Sequence, residues 1–222
     1  MEPSKPALAV IGGTGALGSG LARRLAAAGY EIIIGSRTAE KATEAANQLP
    51  TVPGTAKPRG ATNAEAAAAA EVVLVTVPFT SQAQILDEIK PHVAGKLVID
   101  TTVPLMPPKV ARVQLPSQGC AAMVANERLG EGVRVVSAFH NVAAHKLQTD
   151  AEIDCDVLVF GDDPKDREVA IALAKAAKLR GLHCGPLVNS AAAEALTSVL
   201  IGINRAYKVD GAGLRITGIT EA

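Results

Sequence analysis

Short, almost uninterrupted apolar runs recur along the chain: ALAVIG from Ala7, EIIIG from Glu31, VVLVTV from Val72, KLVID from Lys96, VRVVSAF from Val133 and CDVLVFG from Cys155. Runs without polar alternation predict strands covered on both faces. Between them lie stretches rich in alanine and charge, which suit helices returning the chain over a parallel sheet in right-handed crossovers. The expected fold is α/β, a doubly wound, mainly parallel sheet.

The helices have recognisable limits. Leu17 to Ala28 is closed by Gly29, and Thr38 to Leu49 is stopped by Pro50. From Thr51 to Gly60, prolines and glycines leave room only for a short strand or a loop, after which Asn63 is the expected cap of an alanine-rich helix, Ala64 to Ala70. Further helices are expected over Ser81 to Lys90, Ser117 to Arg128, Pro164 to Leu179 and about Asn189 to Tyr207, with a proline-rich loop over Thr101 to Lys109. Asp163, before Pro164, reads as a helix cap and not as part of a cation loop. A weak boundary near Asp150 would divide the chain into a nucleotide-binding domain, residues 1–150, and a small C-terminal α/β extension, residues 151–222, unless the last strand continues the same sheet.

Composition narrows the partners. Lys and Arg number 22 against 22 Asp and Glu, and aromatic residues are only 2%, so there is neither a net field nor a stacking platform for nucleic acid. Cys120, Cys155 and Cys184 are widely spaced and form no C-x-x-C pair, which argues against a disulfide framework and a zinc ribbon. The spacing of Cys155, His183 and Cys184 fits no common ligand pattern, so no metal is expected. No apolar run reaches the ~18 residues of a membrane span, since Glu71 and Glu194 interrupt the longest ones. The opening MEPSKPALAV lacks the features of a signal peptide. A soluble, cytoplasmic protein with no membrane partner is expected.

The motif Gly13-x-Gly15-x-x-Gly18 follows a strand and opens a helix. In such a loop the first glycine permits the tight turn, the second lets backbone approach a pyrophosphate, and the third lets helix and strand pack closely. The helix N-terminus adds free amides and a positive dipole end. With a second strand ending roughly 20 residues later, this is the pattern of a Rossmann-type dinucleotide site. Where an acid would select NAD, the chain has Gly35-Ser36-Arg37, with Lys41 one turn on. A hydroxyl, a forked guanidinium and an ammonium suit the adenosine 2′-phosphate of NADP.

Five stretches spread over almost the whole chain, IGGTGALGSGLARRLAAAGYEIIIGSR, VLVTVPF, VVSAFHNVAAHKL, FGDD and GPLVNSAAAEALTSVLIGIN, carry a resemblance. On these the sequence resembles the F420H2:NADP oxidoreductases, the NADPH-dependent reductases of the deazaflavin coenzyme F420. The resemblance implies hydride transfer between NADP(H) and coenzyme F420 as co-substrate. It would put Thr14, Gly15, Ala16 and Leu17 at the pyrophosphate, Ser36, Arg37 and Lys41 at the 2′-phosphate, and Phe79 against the cofactor. Val103 and Pro104 would lie by the nicotinamide; His140, Val142, Ala143 and Ala144 would face the deazaflavin, with Leu214 close to it. It further implies a homodimer, with the C-terminal extension completing the deazaflavin pocket.

Two carriers that do their own chemistry need no nucleophile, so no catalytic side chain is expected. The protein's task is to bring the reacting carbons to about 3–3.5 Å and exclude water. Val142, Ala143 and Ala144 are small and apolar enough to let two flat rings approach. His140 either donates a hydrogen bond to the acceptor ring or is satisfied by backbone at a strand end. Two other functions fit the nucleotide loop: an NADPH-dependent reductase of another acceptor (imine, quinone, flavin or ferric chelate), and a non-catalytic NADP-sensing module. Imine and hydroxy-acid reductases of related ancestry carry a longer helical domain than residues 151–222 can form.

Overall fold

The computed structural model describes residues 5–219. Its strands are β1 (Leu8–Ile11), β2 (Ile32–Ser36), β3 (Arg59–Thr62), β4 (Val72–Val75), β5 (Leu97–Asp100), β6 (Arg134–Ser137), β7 (Asp156–Gly161) and β8 (Arg180–His183). They form one sheet in the order β3-β2-β1-β4-β5-β6-β7-β8. Every neighbouring pair is parallel except β6 and β7, where Val136 faces Gly161 and Ser137 faces Phe160 in antiparallel register. The helices are α1 (Ala16–Ala27), α2 (Ala39–Ala46), α3 (Asn63–Ala69), α4 (Phe79–Ile89), α5 (Ala121–Leu129), α6 (Pro164–Ala176) and α7 (Ser190–Tyr207).

The period-2 geometry of strands sorts the apolar runs into two cores. Leu8, Val10, Ile32, Ile34 and Val136 face α1, α2 and α6, while Ala9, Ile11, Ile33, Val73 and Val135 face α3, α4 and α5. Strands buried on both faces explain the lack of polar alternation. Helix α1 stops as its sequence predicts: Gly29 takes φ +82°, its amide bonds to Ala26 O at 2.9 Å, and the Tyr30 amide bonds to Leu25 O at 3.1 Å. These are the two bonds of a Schellman ending.

Two expectations change. Thr62, not Asn63, caps α3: its hydroxyl accepts the Glu65 amide at 3.3 Å, and the Glu65 carboxylate accepts the Thr62 amide at 3.0 Å. The T-N-A-E spacing is a capping box, in which the reciprocal pair outweighs a lone asparagine. The fifth helix begins at Ala121 and not at Ser117, because Gly119 takes φ +95° just before it. Strand β8, the short and incompletely buried segment RGLH, has no apolar run to announce it. With β7 paired to β6 and β8 to β7, the sheet continues past Asp150 without a break. Asp163 caps α6 as expected, its carboxylate accepting the Lys165 amide at 2.8 Å.

By length and hydropathy alone, the segment Leu187–Tyr207 would qualify as a membrane span. Its polar side chains instead bond into the fold. Ser190 meets Ser137 at 2.6 Å, Thr197 meets His140 O at 3.0 Å, and Glu194 binds two amides of α5.

Candidate active site

Strand order reverses at β1, so β1 and β4 open a crevice at their carboxyl ends, the place where doubly wound sheets take ligands. The glycine loop follows β1, and Thr76 follows β4. Thr76 joins the two lips, its amide and hydroxyl both donating to Ile11 O, at 2.9 and 2.8 Å. Gly12, which lies outside the motif as read, takes the left-handed turn at φ +76°; a Cβ there would stand 2.6 Å from Val77 Cγ1. Gly13 is required for a different reason, since its Cβ would meet Val10 O at 2.8 Å. A Cβ on Gly18 would lie 2.4 Å from Thr76 Oγ1 and 2.8 Å from Gly13 Cα, so this glycine sets the helix against the loop.

Gly15 is the N-cap of α1 and offers no side-chain cap, and the first turn carries no acid. The opening amides of α1 therefore point to an anion. Ser36 ends β2 buried, while Arg37 and Lys41 are exposed. Among the described residues, none of these three side chains makes a hydrogen bond or ion pair. Thr38 is the N-cap of α2. Thr14 and Lys41 line one cleft of about 570 Å³, together with Ser19, Arg23 and Gln148. These groups fit a phosphorylated dinucleotide: free amides for the pyrophosphate, unspent cations for the 2′-phosphate.

Across the crevice, Phe79 opens α4 half-buried, and Val103 (half-buried) and Pro104 (buried) follow β5. The turn after β5 is held by Asp100. Its carboxylate accepts the Thr102 hydroxyl at 2.6 Å, the Thr102 amide at 3.2 Å and Gln82 Nε2 at 2.6 Å. Burial pushes the Asp100 carboxyl up to about 6 against these bonds.

The segment after β6 turns on Phe139, whose φ of 67° is rare for a bulky side chain. Phe139 is 1% exposed in the core on the α1 side. The next two residues are gripped by α7: Thr197 Oγ1 donates to His140 O at 3.0 Å, and Asn141 Nδ2 donates to Ala193 O at 2.9 Å and Thr197 Oγ1 at 3.1 Å. The His140 ring is buried, 6.4 Å from the Phe160 ring, and neither ring nitrogen has a partner among the described residues. Burial lowers its pKa to about 3, so the imidazole is neutral. The backbone-satisfied alternative for His140 is thereby removed.

Val142 is buried and Ala143 and Ala144 are half-buried. Leu214 joins this region through the chain's C-terminal segment. Leu214 O accepts the Asp156 amide at 2.6 Å, and Cys155 Sγ lies 3.5 Å from both the Leu214 amide and Asn141 O. Gly211 allows the contact, since a Cβ there would be 2.6 Å from Ala143 Cβ. No group of three or more His, Cys, Asp or Glu able to hold a metal occurs among the described residues.

Sequence reasoning missed Gly12, Thr76 and Glu194. Glu194, 1% exposed on α7, accepts the Ala121 amide at 2.6 Å and the Ala122 amide at 3.1 Å, and so caps α5 from another helix. An acid inside the run AAAEALTSVLIGI was its one signal. Burial, opposed by these bonds and reinforced by Asp100, raises its carboxyl to about 7.

Fold and crevice together place the chain among the dinucleotide-dependent oxidoreductases. Residues 7–104 match the family model described as NADP oxidoreductase, coenzyme F420-dependent. The chain is 42% identical to the F420-dependent NADP reductase of Methanothermobacter thermautotrophicus, over 96% of both chains. It is 38% identical to that of Methanocaldococcus jannaschii, over 96% of this chain and 98% of the relative. A crystal structure from Arthrobacter sp. FB24, described as an F420-dependent NADP reductase, superposes with a TM-score of 0.77 at 27% identity, over 96% of this chain and 99% of that one. The protein belongs to the F420-dependent NADP reductase family.

Proposed function

We infer that the protein transfers a hydride reversibly between NADP(H) and coenzyme F420: NADPH, F420 and a proton give NADP and reduced F420. The observation that carries this reading is agreement with reductases of that name along essentially the whole chain. The bound carriers supply the chemistry, one nicotinamide carbon giving the hydride and one deazaflavin carbon taking it. The chain's residues bind, orient and exclude water.

In this reading Gly13, Thr14, Gly15, Ala16, Leu17 and Gly18 hold the pyrophosphate, and Ser36, Arg37 and Lys41 hold the 2′-phosphate. Phe79, Val103 and Pro104 wall the nicotinamide side. Val142, Ala143, Ala144 and Leu214 wall the deazaflavin, and His140 faces it as a neutral ring. Residues 151–222 complete that wall and supply the contact between two copies of the chain. In support of a homodimer, an apolar groove of about 530 Å³ lies open between β7, β8 and α7, lined by Leu158, Phe160, Leu182 and Val188. A reducing cytoplasm belongs to the same reading and agrees with three free cysteines.

The test is direct. Protein, NADPH and oxidised F420 are mixed, and the visible absorbance of the deazaflavin is followed. Bleaching with matching loss of NADPH is the expected result; tight NADPH binding without bleaching would overturn the reading.

A further inference from the structure

Helix α1 does more than present its first turn to the dinucleotide. Arg24, on its third turn, is 4% exposed, and its guanidinium donates to five backbone carbonyls: Leu147 at 3.3 Å, Ala177 at 2.8 Å, Lys146 at 3.2 Å, Thr149 at 2.8 Å and Ala151 at 2.8 Å. Four of these belong to the segment 146–151, which directly follows the deazaflavin wall proposed above. Gly20 lets that segment close on the helix, since a Cβ there would stand 2.6 Å from Leu147 Cβ. Gln148 Nε2 reaches back to Ala16 O and Ser19 Oγ, both at 2.8 Å. Arg23 adds a fork onto Asp150 at 2.7 and 3.0 Å.

The segment is thus pinned at both ends, by α7 through Thr197 and Asn141 at its start and by α1 at its finish. Only Val142 to His145 are left between the two grips. An arginine has five N–H donors in a fixed fork and is suited to gathering several carbonyls at once; a lysine has a single point of donation. Nothing in a dinucleotide loop requires such a residue, because the loop and the first turn of α1 are complete without it.

We propose that Arg24 is a positioning residue for the second carrier: it sets the Val142–Ala144 wall at a fixed height over the glycine loop, so that the two carriers meet in register. The proposal rests on the assignment of Val142–Ala144 to the deazaflavin. Arg24 touches neither carrier and acts through the carbonyls that it gathers.

The test compares the two carriers separately. Arg24→Lys should leave the Kd for NADPH within about twofold of wild type, raise KM for F420 about tenfold or more and lower kcat. Arg24→Ala should show the same split, and guanidinium ion at millimolar concentration should restore part of the KM for F420. A merely structural role would weaken both carriers alike and show no rescue, which would overturn the proposal. Should the Arg24 variants not fold, Gln148→Ala at the exposed end of the same clasp carries the test; an unchanged KM for F420 overturns it. Ala144→Trp separates the underlying assignment. If it leaves KM for F420 unchanged, the deazaflavin wall lies elsewhere; if it blocks F420 while the Arg24 variants do not, only the role of Arg24 falls.

Discussion

Arg37 is an exposed cation without a partner among the described residues, so its free guanidinium is available to a phosphate. A charge-assisted hydrogen bond contributes about 1.5–3 kcal/mol. Arg37→Ala should therefore raise the Kd for NADPH roughly tenfold to a hundredfold and change that for NADH little. Equal effects on both nucleotides in titration calorimetry would remove the 2′-phosphate assignment. His140 makes a different case. Its folded pKa, pushed by burial from 6.5 to about 3, lies below the unfolded value. Its contribution to stability is then present above pH 6.5 and lost as pH falls from there toward 3. His140→Phe removes that titration and two unpartnered buried nitrogens. The variant should lose less stability than wild type between pH 7 and pH 5 in urea melts, and turn over modestly more slowly. A variant as acid-sensitive as wild type would show that the ring opens to water. Complete loss of turnover with NADPH binding intact would make His140 an essential acid or base, a role that a neutral imidazole cannot fill as a cationic acid.

At the scale of elements, Glu194 joins α7 to the start of α5, and through Ser190 to Ser137 at the end of β6. Its folded pKa, about 7, is above the unfolded reference of 4.5, so the native state holds the extra proton in that interval. Stability from this group is full below about pH 4.5 and declines as pH rises to 7. Glu194→Gln keeps the shape but offers one oxygen to two amides, and should cost about 1–3 kcal/mol near pH 4.5. The gap to wild type should narrow toward pH 7; Asp100, raised in the same direction, titrates in both proteins. A gap that widens with pH in parallel denaturation series would show Glu194 ionised throughout. Such links also explain what the sequence could disclose. The apolar strands, Gly29 and Asp163 are legible because each acts on near neighbours. Strand β8 has no apolar run and gains its place only from β7. Glu194 reaches the α5 amides, and Asn141 the Ala193 carbonyl, across more than fifty residues, pairings that no local pattern encodes. Ser36, Arg37 and Lys41 could be grouped from the sequence because they sit within two turns of one strand end. The left-handed Gly12 was hidden because it stands one place before the motif.

For the whole molecule, the far edge of the sheet leaves one face open. Helix α6 packs one face of β7 and β8 through Ala170, Leu173 and Ala174, but Leu158, Phe160 and Leu182 on the other face line the open groove. Val188 (54% exposed) and Ile219 (48%) line it as well. Parallel strands are ordinarily covered on both faces, and a continuous apolar patch of this kind marks a contact surface. A second copy placing the same surface against it would close both grooves by one self-complementary contact. Carboxylates at Val188 and Ile219 should cost a monomer almost nothing, since both side chains already face water, but would be desolvated in a dimer. Wild type should therefore sediment as a dimer at micromolar concentration, and the double variant Val188→Asp, Ile219→Asp as a monomer that still binds NADPH. A monomeric wild type, or a double variant that remains dimeric, would place the contact elsewhere. Because α7 borders this groove with Ala191 and Ala192 and grips His140 and Asn141 with Thr197, loss of the dimer should also raise KM for F420 while the Kd for NADPH stays constant.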